Sequence, residues 1–313
     1  MEVLVEVVRS GLVESRHRGI AVRVDPDGEE LWSFGDPDAV IFPRSANKPF
    51  QALGMMRAGL PLDGPELAIA ASIHSGEQFH LDAVRAVLGR AGLDESALQT
   101  PPSYPLDPTE HAAVLRAGGG RAPILMDCSG KHAAMLLTSV VNDWPTETYL
   151  DPDHPLQQQL RATVQRLAGE TIAATGVDGC GAPLFAMSLA GLARSFVTIA
   201  TASTGTPEHR VAEAIRAHPE WLGGTRRDVT ALVAGIPGLV AKDGAEGVYA
   251  AALPDGRVVA LKVDDGQQRA RPPVMVAALR ALGVDAPVLA ELAETPLLGG
   301  GRPVGSVRAA FDA

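Results

Sequence analysis

Short β-type runs sit at both ends of this chain and helical periodicity fills the stretch between them. That order restricts the fold more than any other feature. Residues 3–8, 19–24 and 30–34 read as strands, with Asp25-Pro26-Asp27-Gly28 as a turn between the last two. Residues 239–242, 247–253 and 258–263 read as strands again, the last two joined by Pro254-Asp255-Gly256. Between them, helical spacing is expected from Ser45 to Gly59 and over 66–72, 81–88, 109–115, 129–141, 156–167, 184–192, 208–217 and 227–233. Ser129 is expected to cap its helix, residues 101–108 and 142–155 to be loops, and 274–282 to be a closing helix. Strands, then helices, then strands predict an α+β fold. Its antiparallel sheet would join the N- and C-terminal strands, with the helical middle packed at its side. The expected organisation is one discontinuous unit over 1–313, with 1–44 and 236–313 as the sheet part and 45–235 as the helical part.

Lysine usage narrows the chemistry. The chain has four lysines, Lys48, Lys131, Lys242 and Lys262, against 23 arginines. A chain that uses arginine so freely should keep lysine where a compact amine able to shed its proton is needed. Three of the four lie in Gly-, Ser- or Cys-rich stretches: Ser45-Ala46-Asn47-Lys48, Cys128-Ser129-Gly130-Lys131 and Ala241-Lys242-Asp243-Gly244. Ser45 and Lys48 are three apart, so on a helix opening at or just before Ser45 the amine reaches the hydroxyl. Pro49 is tolerated only in a first turn, which agrees with that start. A neutral lysine can act as general base toward serine, and the apolar Phe50 and Met55-Met56 nearby favour the neutral form. By itself Ser-x-x-Lys is a weak signal, and a helix cap followed by a solvated lysine is its ordinary meaning.

Two further clusters carry chemistry. In Ile73-His74-Ser75-Gly76-Glu77, Ser75 is a candidate partner for Lys242, and Glu77 offers a carboxylate to an amino group. Cys128 and Cys180 lie in polar, Gly-flanked settings, in Asp127-Cys128-Ser129-Gly130 and Gly179-Cys180-Gly181. Two thiolates suit zinc, with a third nitrogen or oxygen donor and an open position. Chemistry alone names His132 as readily as Lys131 for that third donor.

Ser-x-x-Lys near the start and Lys-x-Gly on a late strand bracket the pattern of serine β-lactamases and penicillin-binding proteins. Here Asp243 replaces the usual hydroxyl residue, and Ala-Lys-x-Gly-x-x-Gly looks more like the serine-dependent glutaminases of that fold. Five motifs taken together resemble the rhizobial-type L-asparaginase family (asparaginase II). They are Arg44-Ser45-x-x-Lys48-x-x-Gln51, Ser75-Gly76-Glu77, Cys128-Ser129-Gly130-Lys131-His132, Asp178-Gly179-Cys180-Gly181-Ala182-Pro183 and Lys242-x-Gly244-x-Glu246-Gly247. The resemblance implies a serine β-lactamase/glutaminase-like fold and a homodimer. It implies two Ser–Lys dyads, Ser45 with Lys48 and Ser75 with Lys242, and zinc held by Cys128, Lys131 and Cys180. Lys262, in a similar strand twenty residues on, is the alternative second lysine. Ala134 stands where the family pattern has glycine, and the chain is short for the family.

The implied reaction is hydrolysis of L-asparagine to L-aspartate and ammonia, a step of asparagine catabolism. Arg44, Asp178 and Glu77 are candidates for the substrate's α-groups, and His132 for supporting the zinc or the ligand. A glutaminase or broader amidohydrolase is the nearest rival. A non-catalytic zinc-binding regulator and a Cys128 hydrolase are more distant ones. A net charge of −10 with pI near 5.3 argues against nucleic acid or an anionic membrane as partner. The acid-bearing, alternating N-terminus is unlike a signal peptide, and no apolar run is long enough to span a bilayer. The expected location is therefore the cytoplasm.

Overall fold

The computed structural model describes residues 2–311. Its strands, in chain order, are β1 (Glu2–Arg9), β2 (Leu12–Val24), β3 (Glu30–Phe34), β4 (Val40–Ile41), β5 (Ala174–Val177), β6 (Pro183–Ser188), β7 (Val240–Asp243), β8 (Val248–Ala252), β9 (Val258–Val263), β10 (Glu294–Gly299) and β11 (Arg302–Ala309). The main sheet runs β10-β11-β1-β2-β9-β8-β7, antiparallel throughout, with β3 also on β2. The fold is thus α+β, with N- and C-terminal strands in one antiparallel sheet as the sequence order requires.

Local chemistry explains the pairing. Ser10 and Gly11, both at positive φ, join β1 to β2, and Arg9 opposes Leu12 across that two-residue loop. Positive φ at both central positions is the type I′ hairpin geometry, which matches strand twist. Every residue of β8 is buried, as is every residue of β9 except the half-buried Lys262. Burial along successive residues requires cover on both faces, and the helices Leu189–Ala200 and Arg271–Ala281 pack against these strands. Each large apolar side chain so buried contributes about 1.5–3 kcal/mol.

Three expectations need correction. Residues 184–192 are not one helix: β6 ends at Ser188, whose side chain accepts from Gly191 N and starts the helix Leu189–Ala200. β6 pairs with β4 and β5, so the middle of the chain carries a small sheet of its own. The helix near 274–282 runs Arg271–Ala281 and does not close the chain, because Pro287–Leu292 and the β10–β11 hairpin follow it. Ser129 does not cap its helix: Cys128 holds that position with no capping side-chain bond, and Ser129 Oγ donates to Ile124 O. Among the described residues, no helix is long and apolar enough to cross a membrane.

Candidate active site

Ser45 lies in a 3-10 turn, Arg44–Asn47, that runs directly into the helix Lys48–Arg57. The junction resolves the conflict posed by Pro49, which falls in the first turn of the α-helix, where no N–H is needed. Arg44 opens the turn at φ +50°, a region that non-glycine residues occupy at a cost of about 1–3 kcal/mol. The strand β7 ends against this turn. A Cβ on Gly244 would stand 2.7 Å from Pro43 O and 3.1 Å from Ala46 N, so only glycine allows the approach.

A cavity of about 90 Å³ opens at this contact, and Arg44, Ser45, Cys128, Asp178, Cys180 and Asp243 are on its wall. Lys48 and Lys242 lie beneath it, fully buried. Lys48 Nζ donates to Ser72 O at 2.5 Å and to Cys128 Sγ at 2.9 Å. No hydrogen bond joins it to Ser45, so the expected contact within that pair is not made here. Lys242 Nζ donates to Asp243 O at 2.9 Å and Oδ1 at 2.8 Å. Burial lowers the Lys242 pKa to about 8; Asp243 opposes the shift, and the charge on Lys48 adds to it. Lys262 is half-buried, bonds its own strand at Val263 O, and lines a separate groove. Of the two candidate second lysines, Lys242 is the one at the cavity.

These motifs fall within a single match. The family model for L-asparaginase II covers residues 5–309. The chain belongs to the L-asparaginase II family. Among solved structures it is similar to a β-lactamase from Mycobacterium bovis, at 13% identity and TM-score 0.49 over 85% of this chain and 95% of that one. A putative β-lactamase from Bacteroides dorei DSM 17855 gives 13% identity and TM-score 0.46 over 85% and 93%. A D-alanine carboxypeptidase from Burkholderia cenocepacia gives 14% and 0.38 over 85% and 93%. No curated protein sequence matches the chain.

In this member of the L-asparaginase II family the remaining expected residues divide into a thiol cluster, Ser75 with Glu77, and the Arg44–Asp178 pair. Cys128, Cys180, Lys131 and His132 cluster at the cavity floor. Lys131 Nζ donates to Cys180 Sγ at 3.1 Å, and His132 Nδ1 shares a 2.7 Å bond with Tyr149 OH. The contact between the two thiols pushes Cys180 down, while the same contact and burial push Cys128 up. Burial disfavours charge on Lys131, but Cys180 and Cys128 outweigh it and raise its pKa. His132 Nε2 is buried without a partner. Among the described residues no three His, Cys, Asp or Glu side chains converge as a metal site. Two soft sulfurs and one amine do converge, with the His132 imidazole next to Cys180, and that donor set fits zinc once Lys131 has lost its proton.

Ser75 and Glu77 form a second group, and neither is on the cavity wall. Ser75 Oγ donates to Gly223 O at 2.6 Å rather than meeting Lys242. Glu77 accepts from Thr225 N and Thr225 Oγ1, both at 2.8 Å, which ties down the turn at 224–225. Arg44 Nε donates to Asp178 Oδ1 at 2.8 Å, so two residues expected to meet the substrate meet each other.

Sequence reasoning missed Arg227 and Arg271, both of which line the cavity. Each opens a helix, Arg227 as the N-cap of Asp228–Gly235 and Arg271 as the first residue of Arg271–Ala281. A cation at a helix N-terminus is opposed by the macrodipole, and that misfit is the signal in the sequence that could have found them. Both bond Asp243 Oδ2, Arg271 at 3.2 Å. Burial alone would raise the Asp243 pKa; Arg227, Lys242 and Arg271 overcome it and hold the carboxyl far below its usual range.

Proposed function

We propose that the chain is an L-asparaginase acting by Ser–Lys nucleophilic catalysis on free L-asparagine. The observation that carries this reading is the cavity itself. A serine lies on its wall, one helical turn before a fully buried lysine, in a chain of the L-asparaginase II family. Ser45 Oγ attacks the side-chain amide carbon and its proton passes to Lys48. The tetrahedral species collapses as ammonia leaves with a proton, and water then releases L-aspartate from the seryl ester. A neutral Lys48 amine can donate its two N–H to Ser72 O and Cys128 Sγ and still offer its lone pair to that proton, once Nζ and Oγ come within reach. Lys242 assists protonation of the leaving group, with Ser75 in a lesser part. Cys128, Cys180 and Lys131 would hold a zinc ion, which when bound supplies positive charge at the cavity floor. Glutamine is the nearest alternative substrate, since one methylene is worth only about 1–3 kcal/mol of discrimination.

Ammonia release from asparagine, glutamine, N-acetyl-asparagine and a β-lactam tests the reading, with free asparagine expected to be the best substrate. Ser45→Ala and Lys48→Arg should each lose about 10³-fold or more in kcat, since residues acting as a unit fail together and guanidinium keeps its proton. Ser75→Ala should lose less. The contact between Lys48 and Cys128 favours one rival, nucleophilic attack by Cys128. Full activity in Ser45→Ala with none in Cys128→Ser would decide for it. For the metal, elemental analysis should find about one zinc per chain. Equal zinc in wild type and a Cys128→Ser/Cys180→Ser double variant would remove zinc from the reading.

A further inference from the structure

The two missed arginines are short of partners. Asp243 is asked to serve three cations: Oδ1 takes Lys242, while Oδ2 takes both Arg227 and Arg271. Arg271 adds one bond, to Gly244 O at 2.6 Å, and its guanidinium carbon lies 5.6 Å from the centre of the Tyr249 ring. Arg227 Nη1 and Arg271 Nε are buried with no hydrogen-bond partner. Of the other acids near them, Asp228 is pushed toward its neutral form by burial and by Asp243 and its Oδ2 is also unpartnered, while Asp127 lines the same cavity without bonding either arginine. Buried N–H groups without acceptors cost roughly 1–3 kcal/mol each, and a native protein fills such deficits with a ligand or water.

The shape of the deficit indicates the ligand. Two guanidinium groups lining one cavity suit a carboxylate, the anion that arginine recognises best through its planar N–H donors. The helices that start at Cys128, Arg227 and Arg271 add their positive ends to the same small space. Arg44, by contrast, is already matched by Asp178 and stands 3.8 Å from Glu246.

We infer that Arg227 and Arg271 form the carboxylate-binding end of the reaction cavity and take the α-carboxylate of the amino-acid substrate. The inference rests on the amidohydrolase reading above for the identity of the ligand. Asp243 then acts as a positioning residue, holding the two guanidinium groups and Lys242 together.

Two measurements separate this inference from that reading. Calorimetric titration with L-aspartate needs no turnover. Wild type should bind it, and Arg227→Met and Arg271→Met should each weaken binding by about 100-fold, as expected when a charge-assisted pair is lost. Steady-state kinetics on L-asparagine should show the loss mainly in KM, with Arg271→Lys recovering part of it. Melting curves identify variants that fail to fold; Arg227, the more exposed of the two, carries the test if Arg271→Met does. No L-aspartate binding by wild type, undiminished binding in the variants, or a loss confined to kcat would overturn the inference. Retained L-aspartate binding in a wild type that releases no ammonia would sink the asparaginase reading while supporting the subsite.

Discussion

The amine of Lys242 is held near pKa 8 by burial, with Asp243 pulling it up and Lys48 and Arg227 pushing it down. Below that pH it carries its proton; above it, it can accept one. If a neutral Lys242 is needed for turnover, kcat/KM for asparagine should climb between about pH 7 and 9 and level off above. Lys242→Arg should be weakly active with no such limb, and an unchanged limb in that variant would assign the titration to another group. At this scale the sequence was a good guide to lysine and a poor one to arginine. Lys48, Lys131 and Lys242, the three in Gly-, Ser- or Cys-rich stretches, are all buried at the cavity, while Lys262 is not. Scarcity made each lysine informative, whereas Arg227 and Arg271 were hidden among 23 of their kind. The orientation of Lys48 toward Cys128 was not legible either, because spacing fixes where a side chain starts and not where a four-carbon stem ends.

Among the connecting elements, Asp107 does two jobs. It caps the helix Pro108–Arg116 through Thr109 N and Glu110 N, and it takes both Nε and Nη2 of Arg226. The Arg226 guanidinium holds its pKa down to about 2. Asp107→Ala should destabilise the protein by about 1 kcal/mol at neutral pH, as losses of helix caps do. A carboxyl depressed in the folded state adds stability above its unfolded pKa and loses it as pH falls through the folded one. Denaturant midpoints for wild type and Asp107→Asn should therefore converge as pH drops from about 4 to 2, and a constant gap would mean that charge has no part in it. Element type was legible where periodicity ran long, as in Ser129–Val141, which the spacing gives end to end. It failed at Pro183-Leu184-Phe185-Ala186-Met187-Ser188, a wholly buried run in which helix and strand patterns are the same.

For the whole molecule, the sheet joining both chain ends was legible from the order of runs alone. Its outer hairpin was not. β10 is largely exposed, β11 is mostly half-buried, and they carry Pro296, Pro303 and a Gly299-Gly300-Gly301 turn, so neither shows the alternation of a half-buried strand. Proline is tolerated at such a margin, where one side of the ladder is open.

The register of that sheet also sets a schedule for biosynthesis. Gly19 pairs with Val263 and Val5 with Ala309, so the β1–β2 hairpin finds its neighbours among residues synthesised more than two hundred positions later. At roughly 5–20 residues per second, β2 waits on the order of ten to fifty seconds for β9 to be synthesised. Until then both margins of the nascent hairpin lie open to other chains, and the cavity, which needs Asp243 and Arg271 beside Ser45, does not yet exist.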